Sequence, residues 1–165
     1  MSVLAELKEY LDKNSIKYTT ITHSKAYTAQ EMAQTMHVPG RELAKSVVIK
    51  IDGKPGLAVL PASQHIDFEK MRNALGSKGI EMVSEGEFEG YFPNCELGGM
   101  PPLGNRFNLS VFVSRDLRDD EEIVFNAGTH VDAIRMLYSD FERLVQPVIC
   151  EFSIQSGATQ SASAK

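Results

Sequence analysis

Long apolar runs are missing from this chain. No stretch approaches the roughly 20 residues a helix needs to cross a bilayer, so a helical membrane span is excluded. Cysteine is scarce: Cys95 and Cys150 stand far apart and match no metal-ligand spacing. With no secretory leader ahead of them, both are expected as free thiols in a reducing cytosol. Positive charge is in deficit, 17 Lys and Arg against 22 Asp and Glu, giving a net charge of −5. A broad, sequence-independent grip on nucleic acid needs a basic surface, so DNA binding is not expected. A local basic site holding one end of an RNA stays compatible with that charge. No Walker-type loop occurs and no dinucleotide glycine pattern follows a strand, which disfavours nucleotide-driven chemistry. Ser46, Ser63 and Ser110 lack the glycines of a nucleophile elbow. A soluble, cytoplasmic protein without metal or cofactor is the expectation.

What is present fits one domain. At 165 residues, 42% hydrophobic and 24% charged, the chain can bury a sizeable core. SVLAELKEYLDKN (2–14) puts Val3, Leu4, Leu7, Tyr10 and Leu11 on one helical face. KYTTIT (17–22) reads as a strand, and Thr28 with Glu31 forms a capping box for a helix to about His37. LAKSVVIKID (43–52) and LAVLP (57–61) flank the turn Gly53–Gly56 and read as a hairpin of buried central strands. DFEKMRNAL (67–75) is helical with Asp67 as cap, residues 81–83 form a brief strand, and Ser84 with Glu87 caps a helix toward Tyr91. Strands follow at 109–114 and 122–126 around an acidic turn. Helices are expected at Val131–Met136 and Asp140–Val145, and a last strand at Val148–Phe152. Residues 155–165 hold no large apolar side chain and are expected as a disordered tail, leaving 1–154 as the domain. Interleaved helices and strands, with hairpins as well as crossovers, imply an α/β fold with a mixed, largely antiparallel central sheet flanked by helices.

Three places could carry chemistry. GGMPPLG (98–104) crowds three glycines and two prolines into seven residues, which excludes helix and central strand. Glycine lets backbone amides approach a ligand and proline fixes the groups that remain, although a tight turn would use the same residues. Lys45 enters the most apolar strand; it is either a snorkelling lysine at a sheet edge or a cation that orients a phosphate or carbonyl oxygen. His130, in FNAGTH, follows a strand and a glycine, where it could donate to a hydroxyl, carry a proton or bond locally. His65 lacks companions for a metal site, and His37 fits a helix C-terminus. Cys95 shows neither a paired base nor a reason for a lowered pKa.

LAKSVVIK, LAVLPASQHID, SEGEFEGYFP, GGMPPLG and FNAGTH occur in that order. In order and spacing the chain resembles the YbaK-like aminoacyl-tRNA deacylases, also found as the editing domain inserted in bacterial prolyl-tRNA synthetases, from about Thr28 to Val148. The resemblance implies an editing pocket formed by a strand-start lysine, here Lys45, and a G-x-x-x-P loop, here Gly98, Gly99, Met100, Pro101 and Pro102 with Gly104 continuing the turn. The AGTH segment is similar to the histidine-bearing loop of the inserted domains, which implies Gly128, Thr129 and His130; some free-standing relatives lack that histidine. The implied reaction is hydrolysis of the ester between a wrong amino acid and the terminal adenosine of tRNA, with Lys45, Gly98, Gly99 and His130 in catalytic roles. Met100, Pro101, Pro102, Gly104, Gly128 and Thr129 would line the substrate. The implied partner is the aminoacyl-tRNA acceptor end, with proline tRNA as carrier and an aminoacyl-tRNA synthetase as a further partner. Met100 stands where relatives often carry smaller residues, which leaves alanine, serine, threonine and cysteine open as the amino acid removed.

Two other readings compete. A binding module of the same fold would grip tRNA ends or a synthetase without catalysis, and would be free to lose the lysine or the loop. An unrelated hydrolase would use Cys95 or His130, and alkylation of the thiol would stop it.

Overall fold

Ser2 starts the first helix by accepting a hydrogen bond from the Ala5 amide, and α1 (Val3–Lys13) follows. Its apolar stripe buries Val3, Leu7 and Leu11, each contributing about 1.5–3 kcal/mol relative to exposure. The structure, a computed structural model, describes residues 2–22 and 42–155. The capping box at Thr28, the helix to His37, and the tail from residue 156 therefore lie outside the described residues.

After β1 (Tyr18–Thr22), the hairpin β2 (Leu43–Ile51) and β3 (Lys54–Pro61) forms the centre. Its turn is tighter than the sequence suggests. Ile51 pairs with Lys54, and the two residues between them, Asp52 and Gly53, both take positive φ, 51° and 85°. Those signs define the two-residue turn whose twist matches a hairpin, so β3 begins at Lys54 and includes Pro55 and Gly56. The Asp52 carboxylate also accepts from the Lys78 and Gly79 amides. Next come β4 (Gln64–Ile66), α2 (Phe68–Leu75) capped by Asp67, β5 (Ile80–Met82) and α3 (Glu85–Tyr91). Ser84 and Glu87 close the expected capping box on α3.

The chain continues through a 3₁₀ turn (Gly104–Phe107), β6 (Ser110–Ser114), a helical turn α4 (Arg115–Arg118), β7 (Glu122–Asn126) and β8 (Asp132–Leu137). It ends in α5 (Tyr138–Val145), β9 (Val148–Cys150) and β10 (Ser153–Gln155). The main sheet runs β1-β8-β7-β2-β3-β6-β9, with β5 also on β2. β7 joins β2, β6 joins β3 and β9 joins β6 in parallel, while the remaining pairs are antiparallel. This is a mixed α/β sheet, as expected. One face packs on α1, α3 and α5 through Leu7, Phe88 and Phe141; the other packs on α2 through Met71.

Two local expectations fail. Residues 131–136 are not a helix: Asp132–Leu137 is β8, paired with β1 on one side and β7 on the other. Ala, Arg, Met and Leu favour helix, yet two ladders of backbone hydrogen bonds and burial of Ala133, Ile134 and Met136 outweigh that preference. The strands expected on either side of the acidic turn, β6 and β7, both form, and α4 carries the chain between them from one side of the central hairpin to the other. The last strand splits at Glu151–Phe152, and Gln155, assigned to the tail, instead pairs with Gln64.

Candidate active site

β2 is fully paired with β3 along one edge and only partly along the other. On that second edge β7 covers Leu43 and Ala44, and β5 covers Ile49–Ile51. Among the described residues Lys45–Val48 have no strand partner there; the Val48 carbonyl alone accepts a bond, from the Val83 amide at 3.4 Å. The Ala62 amide donates to the Leu43 carbonyl across the hairpin. By the alternation of an antiparallel ladder, Lys45 and Val47 therefore turn their backbone groups to β3, and Ser46 turns its own to the gap.

A cavity of about 590 Å³ opens at this gap. Leu43 to Val48, Met82, Val83, Phe88, Leu97, Gly98, Met100, Asn126 and His130 are among its walls. Because side chains alternate along a strand, Ala44, Ser46 and Val48 project to the face that also holds Phe88 and Met100. Lys45 and Val47 project to the opposite face, where Val47 packs with the α2 cluster. The cavity thus reaches both faces of the sheet.

The glycine–proline loop meets the cavity through its first half. Gly98 has φ of 85°, a conformation that favours glycine. A methyl there would stand 3.3 Å from His130 Cε1. Two backbone bonds staple this loop to the β7–β8 connection: Glu96 N–H to Gly128 O and Gly128 N–H to Gly99 O, both 2.8 Å. Side chains add to them. Asn126 Nδ2 donates to Gly98 O at 3.3 Å, and the Glu96 carboxylate accepts from the His130 amide at 2.8 Å. His130 Nε2 lies 2.8 Å from Leu97 O; a carbonyl only accepts, so that nitrogen carries the proton. Thr129 Oγ1 shapes the connection by accepting from the Val131 and Asp132 amides and donating to the Asp132 carboxylate.

The residues expected at the site therefore separate. Lys45, Gly98, Met100 and His130, remote in sequence, share the cavity wall. Gly99, Pro101, Pro102, Gly104, Gly128 and Thr129 are not among its lining residues. Gly99 spends its amide on Glu96 O, so an oxyanion contact from that N–H is not available as the loop stands. Among the described residues the Gly98 and Met100 amides have no such partner. Pro101, Pro102 and Gly104 are buried, and a Cβ on Gly104 would come within 2.5 Å of Val111 Cγ2. A Cβ on Gly128 would meet Val3 of α1 at 2.6 Å. These positions support the wall from behind. Asn126, Leu97, Met82, Val83 and Phe88 were not expected there, and Ser46 was considered only as a nucleophile. A serine inside the apolar run LAKSVVIK was the one available signal for it.

The electrostatics distinguish a cation from a nucleophile. Burial lowers the Lys45 pKa below the ordinary lysine value, and no acidic partner offsets that among the described residues. Burial, with Glu6 nearby, raises the Cys95 thiol to about 11, so it stays protonated and unreactive near neutral pH. Lys50 and Glu87 form an ion pair that raises the first pKa and lowers the second, tying α3 to β2 beside the cavity. No group of three or more His, Cys, Asp or Glu among the described residues could hold a metal ion.

Comparison with known proteins bears on the family and the fold. A family model described as the aminoacyl-tRNA editing domain matches residues 23–144, most of the chain. The Escherichia coli K12 multifunctional Ser/Thr-tRNA deacylase ProXp-y is 23% identical over 147 residues, covering 86% of this chain and 87% of that protein. A proline–tRNA ligase of Leuconostoc citreum is 26% identical over 119 residues, 72% of this chain but 20% of the ligase. Among solved structures, one described as a proposed trans-editing enzyme for prolyl-tRNA synthetase superposes with a TM-score of 0.79 at 18% identity, covering 93% of this chain and 98% of that one. That likeness concerns the fold.

Proposed function

This chain belongs to the aminoacyl-tRNA editing domain family, and from that premise we propose that it is a trans-acting hydrolase that removes a small, wrongly attached amino acid from tRNA. The observation that carries the proposal is the cavity at the gap in the sheet, where residues 45–48, Gly98, Met100, Asn126 and His130 converge. In the reaction, water oxygen bonds to the ester carbonyl carbon and the bond from that carbon to the ribose oxygen breaks. The ribose oxygen takes up a proton, and the free amino acid and the free tRNA end leave. An ester of this kind needs no side-chain nucleophile if water is positioned and the developing oxyanion is held.

The available donors suit that role. Gly98 and Met100 offer amides to the carbonyl oxygen, while the Lys45 ammonium holds the terminal adenosine or its phosphate. His130 acts on the wall itself, fixing Leu97 O and with it the path of the backbone into Gly98. The gap supplies a route by which an acyl group enters from the lysine face and its side chain reaches the apolar face. Proline tRNA is the carrier favoured by the likeness to the ligase, and a net charge of −5 fits a partner synthetase that supplies part of the tRNA affinity.

A deacylation panel over several mischarged tRNAs tests the proposal. Wild-type protein is expected to hydrolyse at least one ester with a small side chain, and Lys45→Ala to lose about 100-fold in kcat/KM, the scale of removing one preorganised charge-stabilising group. Tight tRNA binding with no hydrolysis by the wild type would favour the binding-module reading. Full turnover by Lys45→Ala would remove the ammonium from the mechanism.

A further inference from the structure

Ser46 stands out on the apolar side of the cavity. The residue is 8% exposed, and among the described residues its buried Oγ has no hydrogen-bond partner. The side chains around it on the same face, Ala44, Val48, Phe88 and Met100, are apolar and line the same cavity. Buried polar groups in folded proteins are almost always satisfied, so an orphaned hydroxyl on a residue that lines a cavity marks a place where a ligand atom belongs once the side chain turns toward it. A lone hydroxyl among apolar groups can pair with one donor or acceptor on a small guest and with little else.

On the reading that this cavity binds the misacylated tRNA end, we infer that Ser46 is a specificity-determining residue that reads a hydroxyl on the attached amino acid, so that seryl esters are preferred to alanyl esters. Both acyl groups fit by size. The seryl hydroxyl pairs with Ser46 Oγ, whereas an alanyl methyl leaves that oxygen unpaired. A site built to bond a hydroxyl rejects the analogue lacking one far better than an apolar pocket separates homologues. Met100 serves as the size limit and Ser46 as the polar test within it.

The experiment charges one tRNA with serine or with alanine and measures kcat and KM for the wild type, Ser46→Ala and Ser46→Thr, with thermal unfolding to confirm that each variant is folded. Wild type is expected to favour the seryl ester by about tenfold or more in kcat/KM. Ser46→Ala is expected to lose that preference through a slower seryl reaction, the alanyl reaction staying within about twofold. Ser46→Thr, which keeps the hydroxyl, is expected to retain the preference. Equal hydrolysis of the two esters by the wild type, an unchanged preference in Ser46→Ala, or an equal loss on both esters would each overturn the inference while leaving the deacylase reading intact. A wild type that hydrolyses neither these nor any other mischarged tRNA would overturn both.

Discussion

The two halves of the Gly98–Gly104 loop share a composition and do different work. Gly98 and Met100 line the cavity, and Gly98 adopts a positive φ beside His130. Pro101 to Gly104 are buried, with Gly104 pressed against β6 and the Leu109 carbonyl. A glycine at the front keeps a wall bare for a ligand; a glycine at the back lets two pieces of the protein touch. The same division runs through the β7–β8 connection, where His130 faces the cavity while Gly128 and Thr129 hold the turn and its contact with α1. Bare backbone is thus a feature of both function and packing, and substitutions separate the two.

The largest contrast should come at the front. Gly98→Ala is expected to lower kcat/KM for deacylation by about 100-fold, since the added methyl crowds His130 and moves a proposed oxyanion donor. Its stability cost should be about 1–2 kcal/mol, from the positive φ. Urea unfolding beside the deacylation assay separates the two effects. An active Gly98→Ala would erase the distinction.

Gly104→Ala should show the reverse. Its methyl would collide with Val111 and the Leu109 carbonyl, and overpacking of this kind costs about 1–3 kcal/mol. The protein that remains folded is expected to retain its turnover per active molecule, so the loss is one of stability. A specific loss of kcat without a fall in unfolding free energy would move Gly104 to the front group.

Lys45→Met sharpens the comparison from the side of charge. The wild-type lysine has a lowered pKa because burial penalises its ammonium, so replacing it is expected to stabilise the fold near neutral pH while lowering kcat/KM by about 100-fold. Below the lowered folded-state pKa the lysine is charged in both folded and unfolded chains, and the full penalty applies. As pH rises above that value toward the ordinary lysine pKa, the folded form sheds its proton first, wild-type stability rises, and the advantage of methionine shrinks. Thermal unfolding of both proteins across that alkaline range measures the trend. A gap that widens with pH would contradict the assignment.

The smallest effect belongs to Cys95. With its thiol held near 11, Cys95→Ala and alkylation by iodoacetamide near neutral pH should both leave deacylation within about twofold of the untreated wild type. Loss of activity in both experiments would restore the thiol-hydrolase reading.

Much of this architecture was legible in the chain because it depends on neighbours in sequence. Asp67 and the Ser84–Glu87 box start helices through bonds spanning three residues, and the hairpin was readable from its two apolar runs, although its turn falls at Asp52-Gly53 rather than at Gly53–Gly56. Where long-range pairing decides, local reading failed. DAIRML carries helix-forming side chains and becomes β8 because β1 and β7 offer hydrogen-bonding edges on both sides. At the site, Lys45, Gly98, Met100 and His130 were identifiable one by one. Their convergence was implied by the family resemblance alone, and the support from Glu96 and Asn126, whose bonds span 34 and 28 residues, was not legible.

The sequence by itself determined the caps, the turns, the buried hairpin and the residue types at the reactive positions, since each follows from the chemistry of a few adjacent residues. Only the tertiary structure decided that β5 and β7 stop short of one another on the edge of β2. The cavity lies in the interval they leave. Its existence depends on where strands distant in sequence end, and no short stretch of chain encodes that distance.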